Sequence, residues 1–279
     1  MGNGLSDKVI LVTGAARGLG LAYAHCLVRH GARVAMHDGG VDPDGMQPDA
    51  SVVRTACADF AEAQVLPVTG LLNSRADCAA LVETVIRRFG RIDGLIHNAG
   101  LVLWAETTEV DDARFRTSST INHEAAFWLC HAALPVMRRQ DYGRIVLTSS
   151  GWALGANPGS ERLTLYAMSK AAQFGLGMAL AHGTGHPDIK VNVVAPVANT
   201  RIYVSQVPEG KLMPEAVAGT VAWLVSSACD VNGQLLKVAD GDVSVAALSD
   251  QGTAHLGERA TDPAACGAAI RRLLGAPSQ

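Results

Sequence analysis

Tyr166 and Lys170 stand four residues apart in a stretch with helical periodicity, so both side chains project from one face. An ammonium close to a phenol stabilises the phenolate, and a phenol tuned in this way can give or take the proton of a substrate hydroxyl. The same spacing also occurs in ordinary solvent-side pairs, so its meaning depends on its surroundings. Far upstream, Thr13-Gly14-Ala15-Ala16-Arg17-Gly18-Leu19-Gly20 follows a β-branched run and opens a helical stretch. Gly14 lets the chain turn sharply off a strand. Small residues at Gly18 and Gly20 let backbone amides approach a pyrophosphate and let helix and sheet pack closely. In the first strand-turn-helix unit of a chain, this turn points to a dinucleotide. Asp38, at the end of the next extended run, is placed to accept hydrogen bonds from an adenosine ribose diol and to repel a 2′-phosphate. Arg17 pulls the other way, because a guanidinium there can pair with that phosphate. A fixed carboxylate excludes while a flexible arginine merely tolerates, so NAD is favoured over NADP.

These residues require a scaffold of alternating strands and helices, and the hydropathy pattern supplies one. Extended runs are expected over 8–13, 33–37, 65–69, 94–97, 144–148, 190–194 and 234–238. Helices are expected over 21–30, 51–62, 75–89, 111–139, 165–181 and 214–226. The extended runs are continuously apolar rather than alternating, which indicates an α/β fold: a doubly wound parallel sheet covered by helices on both faces. Ligands then bind beyond the carboxyl ends of the strands, near the reversal in strand order. The 279 residues read as a single dinucleotide-binding and catalytic domain. Residues 246–279, with a short helix near 263–274, are expected to form a C-terminal extension packed on the body or on an oligomer partner.

Composition narrows the function classes. Hydrophobic residues make up 48% and charged residues 18% of the chain, which excludes a disordered, highly solvated protein. A net charge of -3 leaves no basic field to gather nucleic acid or anionic lipid. No apolar run reaches the roughly 20 residues of a membrane span. The six cysteines, Cys26, Cys57, Cys78, Cys130, Cys229 and Cys266, are scattered without a metal-ligand spacing and are expected buried and reduced. The histidines show no ligand spacing either, so no metal is implied. The start of the chain lacks a basic-then-apolar signal region, and the cytoplasm is the expected compartment.

Taken in order, these pieces make the chain similar to the short-chain dehydrogenase/reductase family. They are the glycine turn, Asn98-Ala99-Gly100, Asn122, the Ser149-Ser150 pair, Tyr166-x-x-x-Lys170, Val191-Asn192-x-x-x-Pro196 and Asn232-Gly233-Gln234. The resemblance implies Tyr166 as general acid/base, with Lys170 binding the nicotinamide ribose and lowering the tyrosine pKa. It implies Ser150 on the reacting oxygen, with Ser149 as the alternative, and Asn122 holding a water in a proton relay through Lys170. On the cofactor it implies Gly14, Arg17, Gly18, Leu19, Gly20, Asp38, Asn98, Ala99, Gly100, Pro196, Val197 and Thr200. Asn73 stands where an aspartate often faces the adenine amine. His97 replaces an asparagine, Val197 a commoner glycine, and the stretch from Ser150 to Tyr166 is longer than usual.

Within the family, the segments around Asp38-Gly39-Gly40, Ala195–Arg201 and Val231–Gln234 resemble the dehydrogenase modules of multifunctional β-oxidation enzymes. That likeness implies a 3-hydroxyacyl-CoA type of substrate oxidised with NAD. The alternative is a hydroxysteroid or cyclic secondary alcohol, with Trp104, Trp152, Leu154, Leu163 and Tyr203 as candidate apolar wall. A dinucleotide sensor without turnover is the remote alternative, since a sensor has no use for a tuned phenol. The expected partner is a small-molecule substrate, in a homodimer or homotetramer by analogy.

Overall fold

Alternation of short apolar runs with amphipathic stretches produces alternation of strand and helix. The structure, a computed structural model, describes residues 4–41, 49, 51–154, 161–200, 210–250 and 252–275. Arg201, Tyr203 and most of the segment expected to cover the substrate lie outside the described residues. The strands are β1 (Val9–Thr13), β2 (Arg33–Asp38), β3 (Val65–Thr69), β4 (Gly94–His97), β5 (Gly143–Thr148), β6 (Ile189–Val197), β7 (Leu235–Ala239) and β8 (Asp242–Ala246). They form one sheet in the order β3-β2-β1-β4-β5-β6-β7-β8. Pairing from β3 through β7 is parallel throughout. Between β7 and β8 only Asp240 and Gly241 intervene, both at positive φ, the turn geometry that folds a strand back on its neighbour.

The helices are α1 (Gly18–Arg29), α2 (Ser51–Cys57), α3 (Arg75–Phe89), α4 (Asp112–Ser119), α5 (Ala125–Arg139), α6 (Thr164–Gly183), α7 (Glu215–Leu224) and α8 (Pro263–Leu273). Helices α1 and α7 pack together over one face of the sheet, while α3, α5 and α6 cover the other. Strands β1, β4 and β5 are buried along their whole length, the burial expected of strands covered on both faces. One packing cluster joins Ile10, Val12, Val34 and Met36 from the strands to Tyr23, Leu27 and Val221 from the helices. The molecule divides into two compact units, Met1–Val245 and Ala246–Gln279. The second holds a short 3-10 turn, Gly257–Thr261, and α8.

Three local features differ from the sequence expectation. The helix expected over 51–62 ends at Cys57. The single helix expected over 111–139 is interrupted by a π turn at Thr120–Glu124, where the Ala125 amide reaches back five residues to the Thr120 carbonyl. Strand β8 carries no recognisable apolar run, because it is exposed along most of its length.

Candidate active site

Strand order reverses at β1, which pairs with β2 on one side and β4 on the other. Their carboxyl ends diverge there and open a cleft. The glycine turn forms its floor. Gly14 and Gly18 have φ of +65° and +50°, a region that favours glycine. A Cβ on Gly14 would come within 2.9 Å of the Ala99 Cα, and one on Gly20 within 2.0 Å of the Gly14 carbonyl oxygen. Helix α1 starts on Arg17 without a side-chain cap and without an acidic residue in its first turn. Its first amides are therefore open to an anion.

The turn is clamped from β4. Asn98 Nδ2 donates to the carbonyls of Thr13 and Gly14, both at 3.2 Å. The Asn98 and Ala99 amides donate to Thr13 Oγ1 at 3.2 and 3.1 Å. With those two bonds accepted, the Thr13 hydroxyl gives its own proton to His97 Nδ1, 3.1 Å away, which places the ring proton of His97 on Nε2. Burial, with the Lys170 charge adding to it, pushes His97 down to about 3, so the ring is neutral and serves as a fixed strut.

Asp38 is buried at the end of β2. Its Oδ1 accepts from the Gly40 amide at 2.9 Å and its Oδ2 from the Ala16 amide at 3.2 Å. The carboxylate thus braces the glycine turn while facing the cleft. Arg17 folds over the same side, with Nη1 donating to the Val41 carbonyl at 3.3 Å. A cavity of about 280 Å³ here is lined by Gly14, Arg17, Gly18, Leu19, Asp38 and Asn98 through Gly100, among others. Asn73 is exposed and is not among the lining residues; Leu71 and Leu72 stand on that wall instead. His37 and Ile121 also line this cavity, and neither carries a sequence signal for it.

A second cavity, about 320 Å³, shares Leu19, Asn98, Gly100 and Thr200 with the first. The two form one trough whose dimensions and polar floor suit a dinucleotide. The second cavity contains Ser149, Ser150, Tyr166 and Lys170, together with Pro196 and Val197 at the end of β6. Helix α6 places Tyr166 and Lys170 one turn apart, and Lys170 Nζ lies 5.7 Å from the centre of the Tyr166 ring. Lys170 is buried and donates to the Thr148 carbonyl at 3.0 Å. Burial lowers its pKa to about 8. Burial also pushes the Tyr166 phenol up from its ordinary value, opposed by a hydrogen bond with Ser150. The net direction is upward, so ionising this phenol near neutral pH calls for further positive charge close to it.

The adjacent serines have different surroundings. Ser149 donates its hydroxyl proton to the Lys170 carbonyl at 2.9 Å, while Ser150, whose Oγ accepts from the Trp152 amide at 3.4 Å, is the serine whose hydroxyl lowers the Tyr166 phenol. Asn122 sits in the π turn, fully buried. Its Nδ2 donates to the Leu101 carbonyl and to Ser118 Oγ, both at 3.1 Å, and its Oδ1 accepts from the Leu101 amide at 2.9 Å. Gly100 lets these groups approach, since a Cβ there would lie 2.9 Å from Asn122 Oδ1 and 3.3 Å from Lys170 Nζ. Trp104, Trp152 and Leu163 line the second cavity as expected, whereas Leu154 is not among the lining residues. Lys237, which the sequence reading passed over, also lines it.

A doubly wound sheet with a dinucleotide trough at its switch point and a Ser-Tyr-Lys cluster beside it defines an oxidoreductase fold. The family model described as short chain dehydrogenase matches residues 8–206, and the chain belongs to that family. It is 32% identical over 237 residues, 84% of its length, to peroxisomal multifunctional enzyme type 2 of Mus musculus. The chain spans 26–39% of the length of this and the other multifunctional relatives it matches first. It is 31% identical to a short-chain type dehydrogenase/reductase of Mycobacterium tuberculosis, covering 98% of this chain and 97% of that one. The solved structure of a short chain dehydrogenase from Mycobacterium avium superposes with a TM-score of 0.81 at 30% identity, over 99% of this chain and 97% of that one. Among the described residues, no helix is long and apolar enough to cross a membrane. No cluster of potential metal ligands occurs among them either.

Proposed function

We propose that this chain is an NAD-dependent dehydrogenase/reductase acting on a secondary alcohol or its ketone, with Tyr166 as the general acid/base. The observation that carries this reading is the Ser150–Tyr166–Lys170 cluster facing the cavity that continues the dinucleotide trough. The residues present fit a dinucleotide. Glycines stand where any Cβ would block the floor, and uncapped amides open α1. A buried carboxylate stands at the ribose end. When bound, an oxidised nicotinamide would supply the hydride acceptor and a positive charge beside the site.

In the oxidation direction, Ser150 hydrogen-bonds the substrate oxygen and orients its proton towards Tyr166 Oη. Tyr166, as phenolate, takes that proton while the carbinol carbon becomes a carbonyl; in reduction the phenol returns it. Lys170, anchored on the Thr148 carbonyl with its ammonium 5.7 Å from the Tyr166 ring centre, would work together with the positive charge of a bound oxidised nicotinamide to offset the burial that raises the phenol. Asp38 gives the preference for NAD over NADP.

The resemblance to the multifunctional β-oxidation modules makes a 3-hydroxyacyl-CoA type of substrate the first reading. A cyclic or steroidal alcohol is the second, favoured by the apolar wall of Trp104, Trp152 and Leu163. Action in the cytoplasm as a homo-oligomer belongs to the same proposal.

The test is Tyr166→Phe, with turnover of a panel of acyl thioesters and cyclic alcohols measured with NAD and NADP separately. The expected result is a loss of at least about a hundredfold in kcat, with NAD binding retained by fluorescence titration. Turnover within tenfold of wild type in Tyr166→Phe overturns the assignment.

A further inference from the structure

We propose that Lys237 makes the substrate cavity selective for an anion, so that the preferred alcohol carries a carboxylate on the acyl or ring side of its carbinol carbon. This rests on the dehydrogenase reading above and adds a substrate class to it.

The sheet register locates the lysine. Leu147 pairs with Val193, and Val193 with Leu235, across three neighbouring strands. A Cβ on Gly177 of α6 would lie 2.3 Å from Val193 Cγ2 and 3.7 Å from Leu147 Cδ1, so this row of side chains faces α6. Side chains alternate along a strand, and two residues further on the same face therefore carries Ser149, Ala195 and Lys237, with Ala195 paired to Lys237. That is the face and the end of the sheet where α6 presents Tyr166 and Lys170. Lys237 starts two strand spacings from Ser149, about 10 Å, and its flexible four-carbon stem covers part of that gap.

The charges around it are unbalanced. Among the described residues, the cavity lining contains no aspartate or glutamate. Its other cation, Lys170, is buried and anchored on the Thr148 carbonyl. Among the described residues Lys237 has no ion-pair partner, whereas nearby Lys211 is paired with Asp240 at 3.1 Å. Within β7, Lys237 is the one exposed residue between buried Leu236 and Val238. An ammonium that no described acidic residue neutralises, lining a cavity walled by Trp104, Trp152 and Leu163, matches an amphiphilic ligand: an apolar body ending in a carboxylate. The phosphates of a CoA ester hang on a long pantetheine arm, too far from the reacting carbon for a side chain that lines this cavity. The group Lys237 reads is therefore on the substrate's reacting portion.

The experiment compares two probes, the mono-N-acetylcysteamine thioester of 3-hydroxyglutarate and the methyl ester of the same compound. Steady-state kinetics with NAD and tryptophan-fluorescence binding titrations are run on wild type, Lys237→Gln, Lys237→Glu and Lys237→Arg. The expected result is that the acid-to-ester ratio of KM, and of Kd, rises about three- to fivefold in Lys237→Gln, the upper range for an exposed ion pair. It rises further in Lys237→Glu and is largely restored in Lys237→Arg. In wild type, raising the salt concentration weakens the acid and spares the ester. An acid-to-ester ratio that Lys237→Gln and Lys237→Glu leave unchanged in either measurement overturns the proposal. Absence of turnover with both probes counts against the catalytic reading, while the binding ratio still decides the role of Lys237.

Discussion

The side-chain amide of Gln173 joins the carbonyl of Asn122 to the end of β5. Its Nε2 donates to the Asn122 carbonyl, and its Oε1 accepts from the Thr148 amide at 3.1 Å. Gln173 is fully buried and lies one turn beyond Lys170 on α6. The next carbonyl along β5, that of Thr148, is the one that anchors the Lys170 ammonium. Asn122 therefore works chiefly as a clasp: its amide is spent on Leu101 and Ser118, and its carbonyl already has one donor. A relay water, as the family resemblance implies, has only the remaining acceptor positions of Asn122.

Replacing Gln173 by Leu leaves the Asn122 carbonyl and the Thr148 amide without their partner, and costs about 2 kcal/mol in a urea unfolding curve. The anchor of Lys170 loosens with it. The expected kinetic signature is a fall in kcat with a shifted pH profile, while KM for the dinucleotide changes little. Gln173→Glu keeps the volume but cannot donate to Asn122. It also places a negative charge near Lys170, which moves the lysine's titration to higher pH. A pH profile identical to wild type in both variants would show that Gln173 is structural only.

Asp38→Ser removes the charge that faces the ribose end of the trough and, with it, two braces on the glycine turn. The expected outcome is weaker NAD binding together with a gain for NADP, shifting the ratio of kcat/KM values by tenfold or more, about 1.4 kcal/mol. Arg17, already lining that cavity, is available to the extra phosphate once the carboxylate is gone. Initial rates with both cofactors check this. An unchanged ratio would mean that the carboxylate does not set the preference.

Acid should destabilise the fold through two buried imidazoles. Burial lowers His97 to about 3 and His37 to about 4. In the unfolded chain each takes up a proton near its ordinary value of 6.5. Between those limits the unfolded state binds more protons, so stability is full above about 6.5 and is lost as pH falls towards 4. His97→Asn removes one of the two contributions. The dependence of unfolding free energy on pH between 6 and 4 should be shallower in that variant than in wild type.

Gly20→Ala tests the floor of the trough. The added methyl would meet the Gly14 carbonyl oxygen at 2.0 Å, a contact that backbone cannot relieve without moving the turn. The expected result is loss of measurable dinucleotide binding and a lower melting temperature. Retained affinity would show that the glycine turn is not the phosphate site.

Much of this molecule is legible in short segments of chain. A β-branched run, a turn that needs glycine and a helix starting on small residues are decided within a few neighbours, as is the sharing of one helix face by Tyr166 and Lys170. Most strands that carry the site lie within about a residue of their expected limits, while β6 runs three residues beyond its expected end to Val197, and the order of motifs identifies the family. The misread segments are those whose local signal is weak: exposed β8, the short α2, and the π turn, where one extra residue slips into an otherwise continuous helix.

Other features depend on which distant segments meet. Whether Ser149 or Ser150 faces Tyr166 depends on backbone direction beyond the end of β5, which no spacing reveals. Asn73 and Leu154 match positions of interest in the chain, yet other residues line the cavities where they were expected. Gln173 and Lys237 acquire their surroundings from β5, β6 and the π turn, which are remote in sequence. Periodicity reports which face of its own element a side chain occupies. Strand register and helix packing then decide what that face meets, and those are settled by burial of the whole core rather than by any one segment.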